Sequence, residues 1–164
     1  MKRIKSFFTK CKKFGIPIDD IINIEKLAGE SGGKIYLIGG NVRDLIMEKH
    51  VTSHPDIVVN IQLDVLIDCL NKSNFKFSKI GSEFGSLIVF IKNLKIDVTC
   101  MRSDIKTDGR WAKIKFTNNL EKDSQRRDFT INSIYCDTSG YLSDPNNGIK
   151  DLLNKKVRFV GQTE

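Results

Sequence analysis

The sequence predicts an α+β (mixed α/β) fold, and three observations carry that reading. Aliphatic runs of strand length recur along the chain, apolar stripes of helical spacing lie between them, and glycines mark the places where one gives way to the other. The stretch Tyr36-Leu37-Ile38-Gly39-Gly40-Asn41-Val42-Arg43-Asp44 shows the whole pattern at once. A buried strand breaks at two glycines and resumes as a helix carrying Arg43 and Asp44.

The elements follow in order. Residues 1–20 open with the basic run Met1 to Lys13 and read as an N-terminal leader, unstructured or helical, ahead of a domain over 21–164. Ile21, Ile22, Ile24, Leu27 and Ala28 form a helical stripe that stops at Ser31-Gly32-Gly33, and a strand from Ile35 to Ile38 comes next. From Asp56 to Ile61 the side chains alternate, which predicts a strand with Asp56, Val58 and Asn60 on one face. Leu63, Ile67 and Leu70 suggest a short amphipathic helix. Three strands then run over 75–80, 86–91 and 94–101, punctuated by Gly81, Gly85 and Asn93. Ser103 to Thr117 is polar and reads as a mobile loop, with Lys106, Arg110, Lys113 and Lys115 around Trp111. Such interleaving either grips RNA by charge and stacking or lets the tryptophan pin the loop to the core. Helical patterning over Leu120 to Tyr135 places Asp128 and Asn132 at i, i+4. A hairpin-like end at Tyr141-Leu142, a turn over 144–148, a helix near Ile149 to Leu153 and a strand from Val157 to Val160 finish the chain.

Bulk properties narrow the classes. A chain of 164 residues, 40% hydrophobic and 29% charged, fits one globular domain rather than a disordered or membrane chain, and Leu87 to Ile91, its longest apolar run, falls far short of a bilayer span. The basic start is not followed by a signal-peptide core, so the expected location is cytoplasmic. Four cysteines at 11, 69, 100 and 136 lack metal-ligand spacing, and two histidines do not complete a zinc site, so reduced, buried thiols are expected. A formal charge of +7 points to a polyanionic partner or to a lysine-rich composition bias.

Three sets of residues bear chemistry. Gly39-Gly40 either lets phosphate oxygens reach main-chain N–H groups or is an ordinary strand-to-helix turn. Asp56 and Asp97 each sit on the polar face of a strand; a sheet pairing the two strands brings them within reach of one metal, and otherwise they are two exposed carboxylates. Arg126-Arg127-Asp128 is a phosphate and ribose contact or a surface ion-pair cluster.

Five pieces in this order give the chain a resemblance. Leu37-Ile38-Gly39-Gly40-Asn41-Val42-Arg43-Asp44, Asp56-Ile57-Val58-Val59, Leu94-Lys95-Ile96-Asp97-Val98-Thr99, Arg126-Arg127-Asp128-Phe129-Thr130-Ile131-Asn132 and Asp144-Pro145-Asn146-Asn147-Gly148-Ile149-Lys150-Asp151-Leu152 resemble the head domain of class II tRNA nucleotidyltransferases, the CCA-adding enzymes, and of the related bacterial poly(A) polymerases. The resemblance covers about Lys34 to Gly161. It implies a nucleotidyltransferase head of the DNA polymerase β-like kind, an about five-stranded mixed sheet backed by helices. It also implies attack of an RNA 3′-hydroxyl, the tRNA 3′ end above all, on the α-phosphate of CTP or ATP, with Mg²⁺ or, in its place, Mn²⁺ as the ion. Carried onto this sequence, Asp56 and Asp97 would be catalytic and metal-holding, Gly39, Gly40, Arg43 and Asp44 would hold the triphosphate, Arg127 and Asp128 would meet ribose and phosphates, and Asn132 would brace their helix.

The chain departs from the family in two places. Where the family has Asp-x-Asp, this sequence has His54-Pro55-Asp56, which aligns His54 with the first aspartate; the alternative register, Asp56 followed by Val58, also leaves a single carboxylate. Imidazole is a poor Mg²⁺ ligand but can take Mn²⁺ or Zn²⁺, so weakened two-metal catalysis is expected. The sequence also stops before the family's neck, body and tail. That leaves two expectations, a working transferase head, or a nucleotide- or RNA-binding remnant or subunit whose missing parts come on a separate polypeptide.

Overall fold

The computed structural model describes residues 2–49, 54–105 and 113–161. At its centre is a sheet of seven strands in the order β3-β4-β5-β2-β1-β8-β9, formed by β1 (Ile35–Leu37), β2 (Asp56–Val59), β3 (Lys76–Ser78), β4 (Ser86–Ile91), β5 (Leu94–Cys100), β8 (Tyr135–Asp137) and β9 (Leu142–Ser143). Among the described residues only β2 and β5 run parallel, and the other pairings in the sheet are antiparallel. The sheet is therefore mixed, as expected, with two more strands than the five anticipated. The extra pair is the β8–β9 hairpin, whose second strand falls at the hairpin-like end expected at Tyr141-Leu142, while the start of the first, Tyr135, falls within the stretch whose patterning predicts a helix.

One face of the sheet is covered by helices. α2 (Ile18–Gly29) turns Ile18, Ile21, Ile24 and Ala28 inward, and α4 (Leu63–Asn71) turns in Leu66, Cys69 and Leu70. They meet Ile57 and Val59 of β2, Leu87 and Val89 of β4, and Ile96 and Val98 of β5 in one continuous core. In β5 burial alternates as the sequence predicts, with Ile96, Val98 and Cys100 inside while Lys95 and Asp97 face water. β2 is buried on both sides after Asp56, because Val58 joins Ile38, Met101 and Tyr135 in a small second cluster on the other face.

Residues 2–20 are part of this body. α1 (Phe7–Lys13) buries Phe7 and Cys11, and Ile4, Phe14 and Ile16 are also inside. Backbone bonds from Ile4 N to Gly140 O (2.9 Å) and from Leu142 N to Lys2 O (2.8 Å) stitch the segment to the β8–β9 hairpin. Of the basic residues that suggested a leader, Lys12 and Lys13 lie on the outside of a helix that buries Phe7 and Cys11.

Three further expectations change. The stems of the loop expected over 103–117 form an antiparallel ribbon, β6 (Arg102–Ile105) with β7 (Lys113–Phe116), while Lys106, Arg110 and Trp111 lie outside the described residues. The helix expected over 120–135 is a single turn and a half, α5 (Leu120–Ser124), followed by a 3₁₀ turn over Thr130–Asn132 and then β8. Phe129 is extended (φ −117°, ψ 145°), Asp128 Oδ1 accepts the Phe129 N–H (2.7 Å) and Thr130 N donates to Arg158 O (2.9 Å), so Asp128 and Asn132 do not share a helix face. Residues 157–160 make one bridge, Phe129 to Phe159, instead of a strand. The helix α6 (Gly148–Leu153) forms where expected, and a Cβ at Gly148 would lie 2.0 Å from the carbonyl oxygen of Thr130.

Candidate nucleotide and metal site

The strand-to-helix junction sets the site. β1 ends into Ile38, Gly39 takes φ 71° and ψ −144°, and α3 (Gly40–Ile46) begins. That backbone conformation is essentially restricted to glycine. A Cβ on Gly39 would lie 3.5 Å from Asp56 Oδ2, so the missing side chain leaves main chain and carboxylate facing across a narrow gap. Asn41, fully buried in the first turn of α3, accepts the Asp56 N–H (3.0 Å), and Ile38 N donates to Asp56 O (3.1 Å). The helix, the glycine turn and the start of β2 thus form one rigid corner.

The carboxylates meet at that corner. Parallel pairing puts Asp56 opposite Asp97, and partners in register project from the same face. Burial, and then the charge of Asp97, push the Asp56 carboxyl above the usual carboxylate range, while Arg127 and His54 pull it back. His54 is exposed at the edge of the pair. No three His, Cys, Asp or Glu side chains are grouped to hold an ion among the described residues. The donor set is two hard oxygen ligands on an open face, which fits Mg²⁺, an ion commonly held by one or two carboxylates together with substrate phosphates.

The other expected residues fall into two groups. Arg43, Asp44 and Asn132 come together: Arg43 Nε donates to Asp44 Oδ1 (2.9 Å) and its Nη1 to Asn132 Oδ1 (3.2 Å), so Asn132 braces Arg43 of α3 instead of a helix of its own. Arg127 lies close enough to Asp56 to lower its carboxyl, whereas Asp128 is exposed and spends its carboxylate on the next backbone N–H.

Sequence reasoning missed Asp123. It is fully buried, and its Oδ1 accepts Arg102 N (3.0 Å) and Arg126 Nε (3.0 Å), while Oδ2 accepts Arg127 Nη2 (3.0 Å) and the Tyr135 hydroxyl (2.7 Å). Burial alone would raise this carboxyl, but Arg127, Arg126 and the two remaining donors more than offset it and hold it below the usual range. Burial, and then the Asp123 charge, push the Tyr135 phenol up. The signal was an aspartate three and four residues ahead of the arginine pair, obscured by the longer helix assigned there. A second buried carboxylate, Asp151, takes Thr130 Oγ1 (2.7 Å) and Arg158 Nε (2.8 Å) and anchors α6.

A family model described as the poly A polymerase head domain matches residues 35–158, the span that holds every residue of this corner. The chain belongs to that family. Among curated relatives of this head domain, the CCA tRNA nucleotidyltransferase 1, mitochondrial, of Danio rerio is 30% identical over 167 residues, covering 98% of this chain and 35% of the relative. The human protein of the same name is 32% identical over 149 residues, covering 87% and 33%, and a CCA-adding enzyme of Streptococcus gordonii is 33% identical over 147 residues, covering 84% and 34%. This chain thus spans about a third of the length of the curated relatives it matches. Among solved structures, the Bacillus stearothermophilus CCA-adding enzyme in complex with CTP superimposes with a TM-score of 0.75 at 28% identity, over 88% of this head-domain chain and 34% of that one. A tRNA nucleotidyltransferase complexed with a primer tRNA and an incoming ATP analog gives 0.67 at 28% identity, over 84% and 39%. Among the described residues, no helix is long and apolar enough to cross a membrane.

Proposed function

We propose that this chain is the nucleotidyl-transfer head of a tRNA 3′-end enzyme of the CCA-adding kind, passing a nucleoside monophosphate from CTP or ATP to an RNA 3′-hydroxyl. The observation that carries the reading is the register of Asp56 against Asp97 beside the Gly39 turn. In the reaction the RNA hydroxyl oxygen forms a bond to the α-phosphorus, the bond from that phosphorus to the β-phosphate breaks, and pyrophosphate leaves. Asp56 and Asp97 would hold Mg²⁺, or Mn²⁺, which when bound neutralises charge on the phosphates and lowers the pKa of the attacking hydroxyl. The Gly39-Gly40 backbone can approach a triphosphate closely because no Cβ intervenes, and Arg43, fixed by Asp44 and Asn132, offers it a cation. Arg127 faces the same corner, and exposed Asp128 would reach a ribose hydroxyl with the carboxylate oxygen that does not take the Phe129 N–H. Solved relatives named as complexes with CTP and with primer tRNA support both partners. The four buried free cysteines suit a reducing compartment, the cytoplasm in this reading.

The test is transfer of label from α-labelled CTP or ATP to tRNA lacking its 3′ end, with Mg²⁺ or Mn²⁺, by the chain as it stands and by His54→Asp. Transfer that is stronger in His54→Asp and absent from Asp56→Asn is expected, and a ladder of long A tracts would assign poly(A) addition instead of CCA. Saturable triphosphate binding with no transfer by either protein would mark the chain as a binding module.

A further inference from the structure

Asp123 is the most heavily bonded side chain among the described residues that the reaction does not itself use, and its position relates it to the site. Its four donors come from the root of the β6–β7 ribbon (Arg102), from the turn that follows α5 (Arg126 and Arg127) and from the central sheet (Tyr135). Tyr135 packs with Val58 in the small cluster on the open face of the sheet, and Val58 is two residues along β2 from Asp56, on the same side. The Arg127 guanidinium lies over the Tyr135 ring, 6.0 Å from its centroid, and its charge reaches Asp56.

We propose that Asp123 is the positioning residue of the nucleotide site, fixing Arg127 for a triphosphate and tying the root of the β6–β7 ribbon to the same point. This inference rests on the nucleotide reading above for its substrate. Two features argue for positioning beyond plain stability. Among the described residues Arg127 Nε, like Arg126 Nη2 and Arg102 Nε, is buried with no hydrogen-bond partner, so the Arg127 guanidinium is held by Asp123 at Nη2 while another of its donors has none. An anion arriving at the corner would find that cation already desolvated and oriented, which is where preorganised charge counts most. In addition, one carboxylate bonds both the ribbon's first backbone N–H and the arginine, so displacement of either is transmitted to the other through a single rigid group.

The experiment has two arms on the full chain. The first needs no ligand: the Arg127 Nε–Hε resonance, assigned by its disappearance in Arg127→Lys, is expected to exchange slowly with solvent in the wild type and rapidly in Asp123→Asn. An unchanged Arg127 resonance in Asp123→Asn overturns the proposal. The second is a double-mutant cycle on CTP affinity. Arg127→Gln and Asp123→Asn are each expected to weaken binding about tenfold or more, and the double variant no further than Arg127→Gln alone. Losses that multiply overturn the proposal, because they mean that Asp123 does not act through Arg127. A wild type that binds no CTP defeats the nucleotide reading, and the first arm still decides whether Asp123 holds Arg127. Should Asp123→Asn not fold, Tyr135→Phe removes only the hydroxyl that shares Oδ2 with Arg127. Faster Arg127 exchange at an unchanged melting temperature supports the proposal, and unchanged exchange with a lowered melting temperature overturns it.

Discussion

Asp123 and Asp56 are both carboxylates drawn into the protein, one fully and one partly, and the fold treats them in opposite ways. Asp123 receives four hydrogen bonds, two of them from arginine side chains, and its carboxyl is held low. Asp56 is set opposite another carboxylate, and its carboxyl is pushed up by burial and by Asp97. The first arrangement stabilises the fold, and the second keeps a repulsion that a bound cation or a proton relieves. A carboxylate with four donors and a like-charge pair separate the support of the candidate site from the part proposed to hold the metal.

The largest break in that contrast is Asp123→Ala, which leaves two arginines without their counter-charge. A loss of about 3–5 kcal/mol is expected from removing one member of a buried ion cluster. Urea unfolding with an unchanged m-value measures it, and a loss under about 1 kcal/mol would mean that the cluster is wet and weak. Next comes Gly39→Ala, which forces φ 71° and ψ −144° on a residue with a side chain. The strain is of order 1–3 kcal/mol, and the new methyl group stands between backbone and phosphate, so the melting temperature and CTP affinity should fall together. An affinity unchanged at reduced stability would remove the glycine turn from the site.

The pH dependence of stability sharpens the comparison, because the two groups have opposite signs. Asp123 is lowered from 3.8, so the stability it contributes is present above 3.8 and is lost as pH falls through its folded value. Asp56 is raised from 3.8, so its penalty is absent at low pH and grows as pH rises from 3.8 through its folded value. Asp123→Asn should therefore flatten the acid-side loss, and Asp56→Asn should remove the decline just above it; chemical denaturation from pH 3 to pH 7 reads both. The smallest effect expected is on the stability of Asp97→Asn. Relieving the like-charge pair should leave stability within about 1 kcal/mol of wild type, on the favourable side, while metal-dependent CTP binding is lost. A clear destabilisation would show that Asp97 is a structural carboxylate.

Much of this molecule was legible because its strands and helices are regular where they are buried. β5 alternates inside and outside residue by residue, α2 repeats its apolar residues at helical spacing, and the Gly39-Gly40 break announces a strand entering a helix. The pairing of Asp56 with Asp97 could be stated only as a condition from the sequence, since strand order is a property of contacts far apart along the chain. The region from Leu120 to Tyr135 misled because its residues read as one helical stripe. Instead Asp128 accepts the next backbone N–H, Thr130 donates its hydroxyl to Asp151, Asp123 accepts from both arginines, and the helix ends after Ser124. The N-terminal segment misled in the other direction, its lysines masking Ile4, Phe7 and Cys11, which are core. Asn41, which fixes β2 to α3, carried no periodic signal at all.

A metal-dependent triphosphate site at the Asp56–Asp97 corner is tested most directly by titration of CTP into the protein with and without Mg²⁺, for wild type and Asp56→Asn. Binding that strengthens with Mg²⁺ in the wild type and loses that dependence in Asp56→Asn is the predicted result. CTP binding indifferent to both the ion and Asp56, or absent altogether, would contradict it.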